Sequence, residues 1–173
     1  DGLTIEAGAV GINIEDADYG GDRKKPREGT LFPTAIAAER IAAARAAAGR
    51  AGVPMVINAR TDVMWNGGAG PAAFAETVAR ANAYRAAGAD CLFVPGAKDG
   101  DTIGRLVRAI DGPLNIIVSA GAPPVAELRR LGVRRVTAGA ILARCAYAAL
   151  DAAAAEYRDA GTYHFTENTP SHG

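Results

Sequence analysis

The sequence predicts an α/β protein built from the last five βα units of a (β/α)8 barrel. Five short apolar segments rich in β-branched residues recur along the chain, and each follows a glycine. Alanine-rich helical stretches separate them. A glycine in the left-handed conformation commonly ends a helix, so each glycine marks a helix end ahead of a strand. Apolar strands that alternate with helices are typical of a parallel sheet covered on both faces.

The predicted elements follow in order. The strands are expected at residues 10–14, 55–59, 91–94, 114–118 and 134–137. The helices are expected at residues 34–51, 71–87, 102–110, 124–131 and 140–160. Pro71 stands at the first turn of its helix, where the missing N–H leaves no hydrogen bond unmade. Residues 1–163 are therefore predicted to form a partial barrel, followed by a C-terminal tail at residues 164–173.

Residues 2–8 read as the end of a helix that stops at Gly8. An eight-unit barrel takes about 250 residues, so we expect its first three strands to be missing from this sequence. The alternative is a complete open sheet of five strands that binds a nucleotide. Such a sheet would carry a glycine-rich phosphate loop after its first strand, and residues 16–21 match neither G-x-G-x-x-G nor a Walker A loop.

Composition narrows the function classes. The chain has 173 residues with 19 basic and 19 acidic side chains, and this balance argues against nucleic acid or a membrane surface as partner. No apolar run approaches the roughly 18 residues that span a bilayer. The first residues do not resemble a secretory signal, and the two cysteines lack metal-type spacing, so we expect a cytoplasmic protein. The two histidines are His164 and His172, which leaves the predicted barrel without a histidine base.

Glu15 and Asp16 follow the first predicted strand. The carboxyl ends of parallel strands carry the ligand site in such folds. The two acids are candidates for metal ligands, for an acid/base pair or for helix capping. With no His or Cys nearby, oxygen ligands favour Mg²⁺ or Mn²⁺ over zinc. Because neighbouring strand residues point to opposite faces, only one of the two can face the barrel interior.

Arg60 follows the second predicted strand. A guanidinium at this position suits bidentate binding of a carboxylate or phosphate, and the alternative is a structural ion pair with Asp62 or Glu15. Small residues after the fourth and fifth strands leave backbone N–H groups open to an anion, or merely permit tight turns. We interpret Pro95 and Gly96, after the third strand, as residues that determine the shape of the loop and take no part in the chemistry. The predicted substrate-binding residues are Arg60, Asn58, Asn115 and Gly121.

The connection at residues 18–33 is long for a strand-to-helix loop. It contains a basic cluster of Arg23, Lys24, Lys25 and Arg27. Beside the carboxylates, such a loop is interpreted as a gate for an anionic substrate, and the alternative is a solvated surface loop.

Several segments together resemble the isocitrate lyase / phosphoenolpyruvate mutase superfamily. They are residues 11–16 (G-I-N-I-E-D), 58–62 (N-A-R-T-D), 83–90, 121–123 and 131–136. The resemblance implies a (β/α)8 barrel, usually tetrameric, whose last helix exchanges with a partner subunit. It also implies Mg²⁺ and the making or breaking of C–C or C–P bonds next to a carboxylate, through enolate species of the pyruvate type.

By position, the resemblance makes Glu15 a Mg²⁺ ligand and Arg60 the holder of a substrate carboxylate, so both are predicted as catalytic. Asp16 stays a second metal candidate or a structural neighbour. The loop lacks the Cys of the K-[KR]-C-G-H motif of isocitrate lyases, and Pro95 replaces a phosphonomutase His. We therefore expect a Mg²⁺-dependent lyase of the phosphonomutase-like branch that acts on small 2-oxo or 2-hydroxy carboxylates. The alternative is a non-catalytic anion-binding or assembly module.

The last helix, at residues 140–160, carries one charge, Arg144, in its first eleven residues. A helix that is apolar on most sides has to be buried on most sides. We therefore expect a homo-oligomer, a tetramer or a dimer that exchanges this C-terminal helix. The alternative is that the alanines reflect helix propensity alone.

Overall fold

The computed structural model describes residues 2–20 and 30–169. The chain divides into two compact units, residues 1–137 and 138–173. In the first unit the elements are α1 (Gly2–Glu6), β1 (Gly11–Glu15), α2 (Thr34–Arg50), β2 (Val56–Arg60), α3 (Gly70–Ala86), β3 (Cys91–Phe93), α4 (Gly100–Ala109), β4 (Leu114–Ile117), α5 (Val125–Leu131) and β5 (Arg135–Thr137). The predicted alternation of strands and helices is confirmed, with differences of a few residues at the element ends.

The five strands form one parallel sheet in the order β1-β2-β3-β4-β5. Sequential order is that of a (β/α)8 barrel, whereas the order of a doubly wound sheet reverses at its ligand site. The α/β prediction is therefore confirmed, and the order disfavours the open nucleotide-binding sheet. That three further strands precede β1 stays a prediction.

One face of the sheet packs against the helices. Ile57, Leu92 and Ile116 alternate with residues of the other face and are fully buried. From the helices, Ile41 and Leu106 join the same cluster. Burying such side chains contributes about 25 cal/mol per Å² of apolar surface, so this helix-covered face is the main source of stability of the unit.

The opposite face carries polar residues. In the pairing register Asn13 lies beside Asn58, and Glu15 lies beside Arg60. The Asn58 Nδ2 group donates to Asn13 Oδ1 over 2.7 Å. On β1 and β2 the alternation thus turns apolar residues toward the helices and places these polar residues on the other face, which leads to the strand ends where the candidate site lies.

Glycines shape two of the connections. Gly132 ends α5 in the left-handed conformation with φ of 99°, as its predicted capping role requires. Gly96 has φ of 91°, and a Cβ atom there would lie 2.7 Å from the Met64 carbonyl. The loop after β3 therefore packs directly on the loop after β2, which agrees with the interpretation of Gly96 as a shape residue.

The second unit contains α6 (Ile141–Ala155), a π-helix (Glu156–Ala160) and a 3-10 helix (His164–Asn168). The Glu156 carboxylate accepts hydrogen bonds from the His164 backbone N–H and the Thr162 hydroxyl, both at 2.7 Å. These bonds tie the start of the 3-10 helix to the first residue of the π-helix. The sequence-based boundary after residue 163 therefore falls inside the second unit.

Helix α6 has no buried residue. Leu142, Tyr147 and Leu150 are 72%, 66% and 64% exposed.

Among the described residues, no helix combines the length and the apolarity needed to cross a membrane.

Candidate functional site

An open cleft of about 1120 Å³ is lined by residues of α1, α2 and β1 and extends to the carboxyl ends of β1 and β2. Its lining includes Asn13, Glu15, Tyr19, Arg60 and Phe93. Of the four charged residues in the lining, Glu15 and Arg60 come from adjacent strands that the parallel register places side by side. This part of the cleft therefore sits where strand ends collect polar groups in barrels of this kind.

Arg60 is held by two carboxylates. Its Nε and Nη2 atoms donate to the two oxygens of Asp62 over 2.6 and 3.0 Å. Its Nη1 atom lies 3.3 Å from Glu15 Oε2. Both ion pairs that the sequence offered as alternatives to ligand binding are therefore present in the structure. The side chain is still 23% exposed, which leaves part of the guanidinium open to the cleft.

Two aromatic rings also contact the guanidinium. Its Cζ atom lies 5.7 Å from the centre of the Trp65 ring and 5.6 Å from that of Phe93. Burial lowers the pKa of Arg60, but the hydrogen bond and the charge of Asp62 outweigh it and the pKa is raised overall. The pKa of Asp62 is also raised, by burial above all and by the charges of Glu15 and Asp16, although the hydrogen bond and the charge of Arg60 lower it. Arg60 is therefore a permanently charged group whose orientation is fixed by its neighbours.

Glu15 is 30% exposed and both of its oxygens have partners. Oε2 faces Arg60, and Oε1 accepts a 2.5 Å hydrogen bond from the Tyr19 hydroxyl. This hydrogen bond favours the protonated phenol and, with burial and the charge of Glu15, raises the pKa of Tyr19 to about 12. Sequence reasoning missed Tyr19, because a tyrosine at the start of a loop carries no pattern that points to the preceding strand.

Asp16 lies on the other side of the sheet and is 1% exposed. Its oxygens accept hydrogen bonds from the Asp62 backbone N–H at 2.8 Å, the Tyr84 hydroxyl at 2.7 Å and Arg80 Nη1 at 3.3 Å. Burial and then the charge of Asp16 raise the pKa of Tyr84. With its oxygens used inside the protein, Asp16 is a poor candidate for a metal ligand. The geometry agrees with the expectation that one acid of the pair turns away from the barrel interior.

Arg80 joins Asp16 to the end of the long loop. Burial lowers the pKa of Arg80, but its hydrogen bonds to Tyr84 and Glu76 raise it overall. Its Nη1 atom also donates to the Phe32 carbonyl over 2.9 Å, while the Phe32 N–H donates to the Asp16 carbonyl over 2.8 Å. The end of the loop is thereby tied to the end of β1. The basic cluster predicted for this loop lies outside the described residues.

The other predicted substrate-binding residues do not join Arg60 in the cleft. Asn58 and Asn115 are 1% and 0% exposed, so a ligand in the cleft does not reach them. Asn58 Oδ1 and Asn115 Nδ2 have no hydrogen-bond partner within residues 2–20 and 30–169, although the Thr137 hydroxyl donates to Asn115 Oδ1. Gly121 lies in an exposed turn with φ of 84° and is not among the described residues that line the cleft.

The fit of a metal ion is partial. No group of three or more His, Cys, Asp or Glu side chains in the described part of the chain is arranged to hold one. Glu15 and Asp18 present carboxylates to the cleft, and Asp62 is committed to Arg60. One Asp18 oxygen accepts a hydrogen bond from the Gly20 N–H over 2.9 Å. These residues supply two oxygen ligand groups and do not by themselves complete a metal site.

A family model described as phosphoenolpyruvate phosphomutase matches residues 3–158. The chain belongs to this family. Solved members of the phosphoenolpyruvate mutase/isocitrate lyase superfamily share its fold, among them a 2,3-dimethylmalate lyase that is 28% identical with a TM-score of 0.73, over 96% of this chain and 57% of its own. The resemblance drawn from the strand-end residues is confirmed.

Other relatives are more similar. An uncharacterized protein of Mycobacterium tuberculosis (strain CDC 1551 / Oshkosh) is 35% identical over 76% of this chain and 45% of its own length. A Burkholderia cenocepacia J2315 protein assigned as a lyase/mutase is 40% identical with a TM-score of 0.84, over 98% of this chain and 59% of its own. A phosphonopyruvate hydrolase in complex with oxalate and Mg²⁺ is 29% identical with a TM-score of 0.75, over 98% and 58%. This chain therefore spans about half of the length of each of these relatives.

Proposed function

We propose that this chain binds a small 2-oxo or 2-hydroxy carboxylate at Arg60 and serves a lyase or phosphonomutase-like reaction. The reaction would cleave a C–C or C–P bond through an enolate of the pyruvate type. The observation that carries the proposal is Arg60 itself, a charged and oriented guanidinium that borders a cleft of about 1120 Å³ at the strand ends. Family membership supports the same class of reaction.

Arg60 would bind the substrate carboxylate through its free N–H groups, and its charge would stabilise negative charge that develops on the adjacent enolate. Asp62 would keep the guanidinium plane fixed through the two hydrogen bonds on its other edge. Because the guanidinium is oriented before the reaction, no free energy is spent on reorienting it as the negative charge develops.

We extend the proposal to Mg²⁺ or Mn²⁺ as cofactor, with Glu15 as a ligand. Glu15 faces the cleft, whereas Asp16 is buried behind the sheet. Mg²⁺ commonly keeps several waters and takes only one or two protein carboxylates, so a single carboxylate is compatible with a share in such a site. When bound, the metal would act as a Lewis acid toward the enolate oxygen.

The test is release of pyruvate or a related oxo acid from a panel of C4 to C7 acids, with Mg²⁺ or Mn²⁺ present. We expect Arg60→Ala to lower kcat/KM by about 100-fold, since a charge-assisted contact made in the transition state is lost. The matched control is Arg105→Ala, which removes an arginine that stacks on Phe74 away from the strand-end cleft. If no acid turns over and neither Arg60→Ala nor Glu15→Gln changes ligand binding, the proposal fails.

Ligand binding without turnover would favour the alternative, a non-catalytic anion-binding or assembly module. That alternative is motivated by the loop sequence, which carries no Cys or His for proton transfer. The two functions share the Arg60 site and differ in whether the bound acid is converted.

We also propose that α6 packs against a second copy of the chain, giving a homo-oligomer with exchanged C-terminal helices. The support is its exposed Leu142, Tyr147 and Leu150, on a helix without a buried residue. Light scattering should show a dimer or tetramer for the wild-type chain and a shift toward monomer for Leu142→Glu/Leu150→Glu. A wild-type monomer at tens of micromolar would overturn this assembly.

A further inference from the structure

We propose that Tyr19 is a positioning residue that holds Glu15 against Arg60, so that Glu15 occupies the place of a ligand carboxylate. The proposal rests on the carboxylate-binding function proposed above. It concerns the state of the site before a ligand binds, and it assigns a role to a residue that has none in that function.

The geometry of Arg60 leaves one edge for a ligand. The edge formed by Nε and Nη2 is taken by the two oxygens of Asp62. A guanidinium offers its second bidentate edge through Nη1 and Nη2. Glu15 Oε2 lies 3.3 Å from Nη1, one of the two atoms of this edge. A carboxylate bound at this edge would lie close to the Glu15 carboxylate, and the two like charges would repel each other, so an incoming carboxylate competes with Glu15.

The two contacts of Glu15 differ in length. Charge-assisted N–H···O bonds usually measure about 2.7–2.9 Å, so the 3.3 Å separation from Arg60 is loose. The hydrogen bond from the Tyr19 hydroxyl measures 2.5 Å and is the tighter of the two. Tyr19 therefore does more than Arg60 to fix where the Glu15 carboxylate lies.

The backbone around Tyr19 is itself anchored. The Asp18 N–H donates to the Thr30 carbonyl over 3.0 Å, and Ala17 forms an antiparallel bridge with Leu31. The Gly20 N–H donates to the Asp18 side chain over 2.9 Å. With hydrogen bonds on both sides of it, the Tyr19 backbone is held in the position from which its phenol reaches Glu15.

The role predicts a gain of affinity when the hydroxyl is removed. In Tyr19→Phe the carboxylate of Glu15 loses its tighter tether and leaves the open edge of Arg60 more often. We expect carboxylate binding to become about three- to tenfold tighter, the net effect of one hydrogen bond of ordinary strength at a partly exposed site. A merely structural Tyr19 would give weaker or unchanged binding, so the sign of the change separates the two roles.

The experiment titrates the intact chain with oxalate in the presence of EDTA and follows tryptophan fluorescence. Trp65 is the one tryptophan of the sequence, and its ring centre lies 5.7 Å from Arg60 Cζ, so it reports binding at this arginine. Tyr157→Phe is the matched control, because it removes a phenol hydroxyl from an exposed position on the π-helix. We expect tighter binding in Tyr19→Phe and an unchanged dissociation constant in the control.

The outcomes separate the two proposals. Equal or weaker binding in Tyr19→Phe, with wild-type binding that Arg60→Ala abolishes, overturns the role of Tyr19 and leaves the carboxylate site in place. Binding that is unaffected by Arg60→Ala, or no binding in the wild type, Tyr19→Phe and Glu15→Gln alike, overturns the carboxylate site and the role of Tyr19 with it. Circular dichroism of each variant confirms that the comparison is made between folded chains.

Discussion

Glu15 and Asp16 are neighbours in sequence, yet each belongs to a different set of partners on its own side of the sheet. On the cleft side, Glu15 contacts Arg60 and Tyr19. On the helix side, Asp16 contacts an arginine and a tyrosine of α3. Each set thus contains a carboxylate, a guanidinium and a phenol, and the chemistry of the side chains does not distinguish them.

Burial distinguishes them. Asp16, Arg80 and Tyr84 are 1%, 8% and 1% exposed. The side chains of Glu15 and Arg60 are 30% and 23% exposed and border the cleft. A buried charge must be paired for the protein to stay folded, whereas a partly exposed charge can exchange its partner for water or a ligand at small cost. The helix-side set is therefore structural and the cleft-side set is available for binding.

The largest effect is expected from a substitution that breaks the helix-side set, which consists of Asp16, Arg80 and Tyr84. Asp16→Ala leaves the buried guanidinium of Arg80 without the Asp16 carboxylate, and we expect a loss of about 3–5 kcal/mol in the free energy of unfolding. Glu15→Ala is the matched variant on the cleft side, where we expect a loss of about 1 kcal/mol or less. Urea denaturation followed by circular dichroism measures both.

A second substitution checks the cause. If the cost of Asp16→Ala comes from the lost ion pair of the buried Arg80 guanidinium, then Asp16→Ala/Arg80→Met should be more stable than Asp16→Ala alone. Equal losses for Asp16→Ala and Glu15→Ala would contradict the division into a structural set and a binding set.

The sequence predicted much of the fold for physical reasons. The glycines at helix ends and the apolar strands are local signals, so the five βα units follow from the residues themselves. The strand-end positions of Glu15 and Arg60 follow from the same pattern, because parallel strands bring their carboxyl ends together.

The partners at the site were less accessible to sequence reasoning. Alternation says that Glu15 and Asp16 face opposite sides, but not that Arg80, in the middle of α3, turns toward Asp16. Asn58, near the end of the second predicted strand, and Asn115, near the start of the fourth, were predicted to bind substrate. Both are buried, since the depth of a side chain depends on neighbours from other strands and loops that the linear pattern does not contain.

The smallest effect is expected at high pH, in the contributions of Tyr19 and Tyr84 to folding stability. The pKa of Tyr19 is raised to about 12 by its hydrogen bond to Glu15, and the pKa of Tyr84 is raised by burial and by Asp16. An unfolded tyrosine ionises near pH 10, so above that pH the unfolded chain releases phenol protons that the folded chain keeps. Stability contributed by both phenols is therefore complete below about pH 10 and is lost as the pH rises further.

We expect Tyr84→Phe to reduce this loss of folding stability at alkaline pH more than Tyr19→Phe does. The reason is that Tyr84 is almost fully buried, whereas Tyr19 lines an open cleft. Solvent near Tyr19 screens its interaction with Glu15 and reduces the share that reaches folding stability. The measurement is urea denaturation of the wild type and both variants at pH 9 and pH 11. A larger reduction of this loss in Tyr19→Phe would show that the cleft-side set contributes to the fold as much as the helix-side set does. The functional division between Glu15 and Asp16 would then have to be given up.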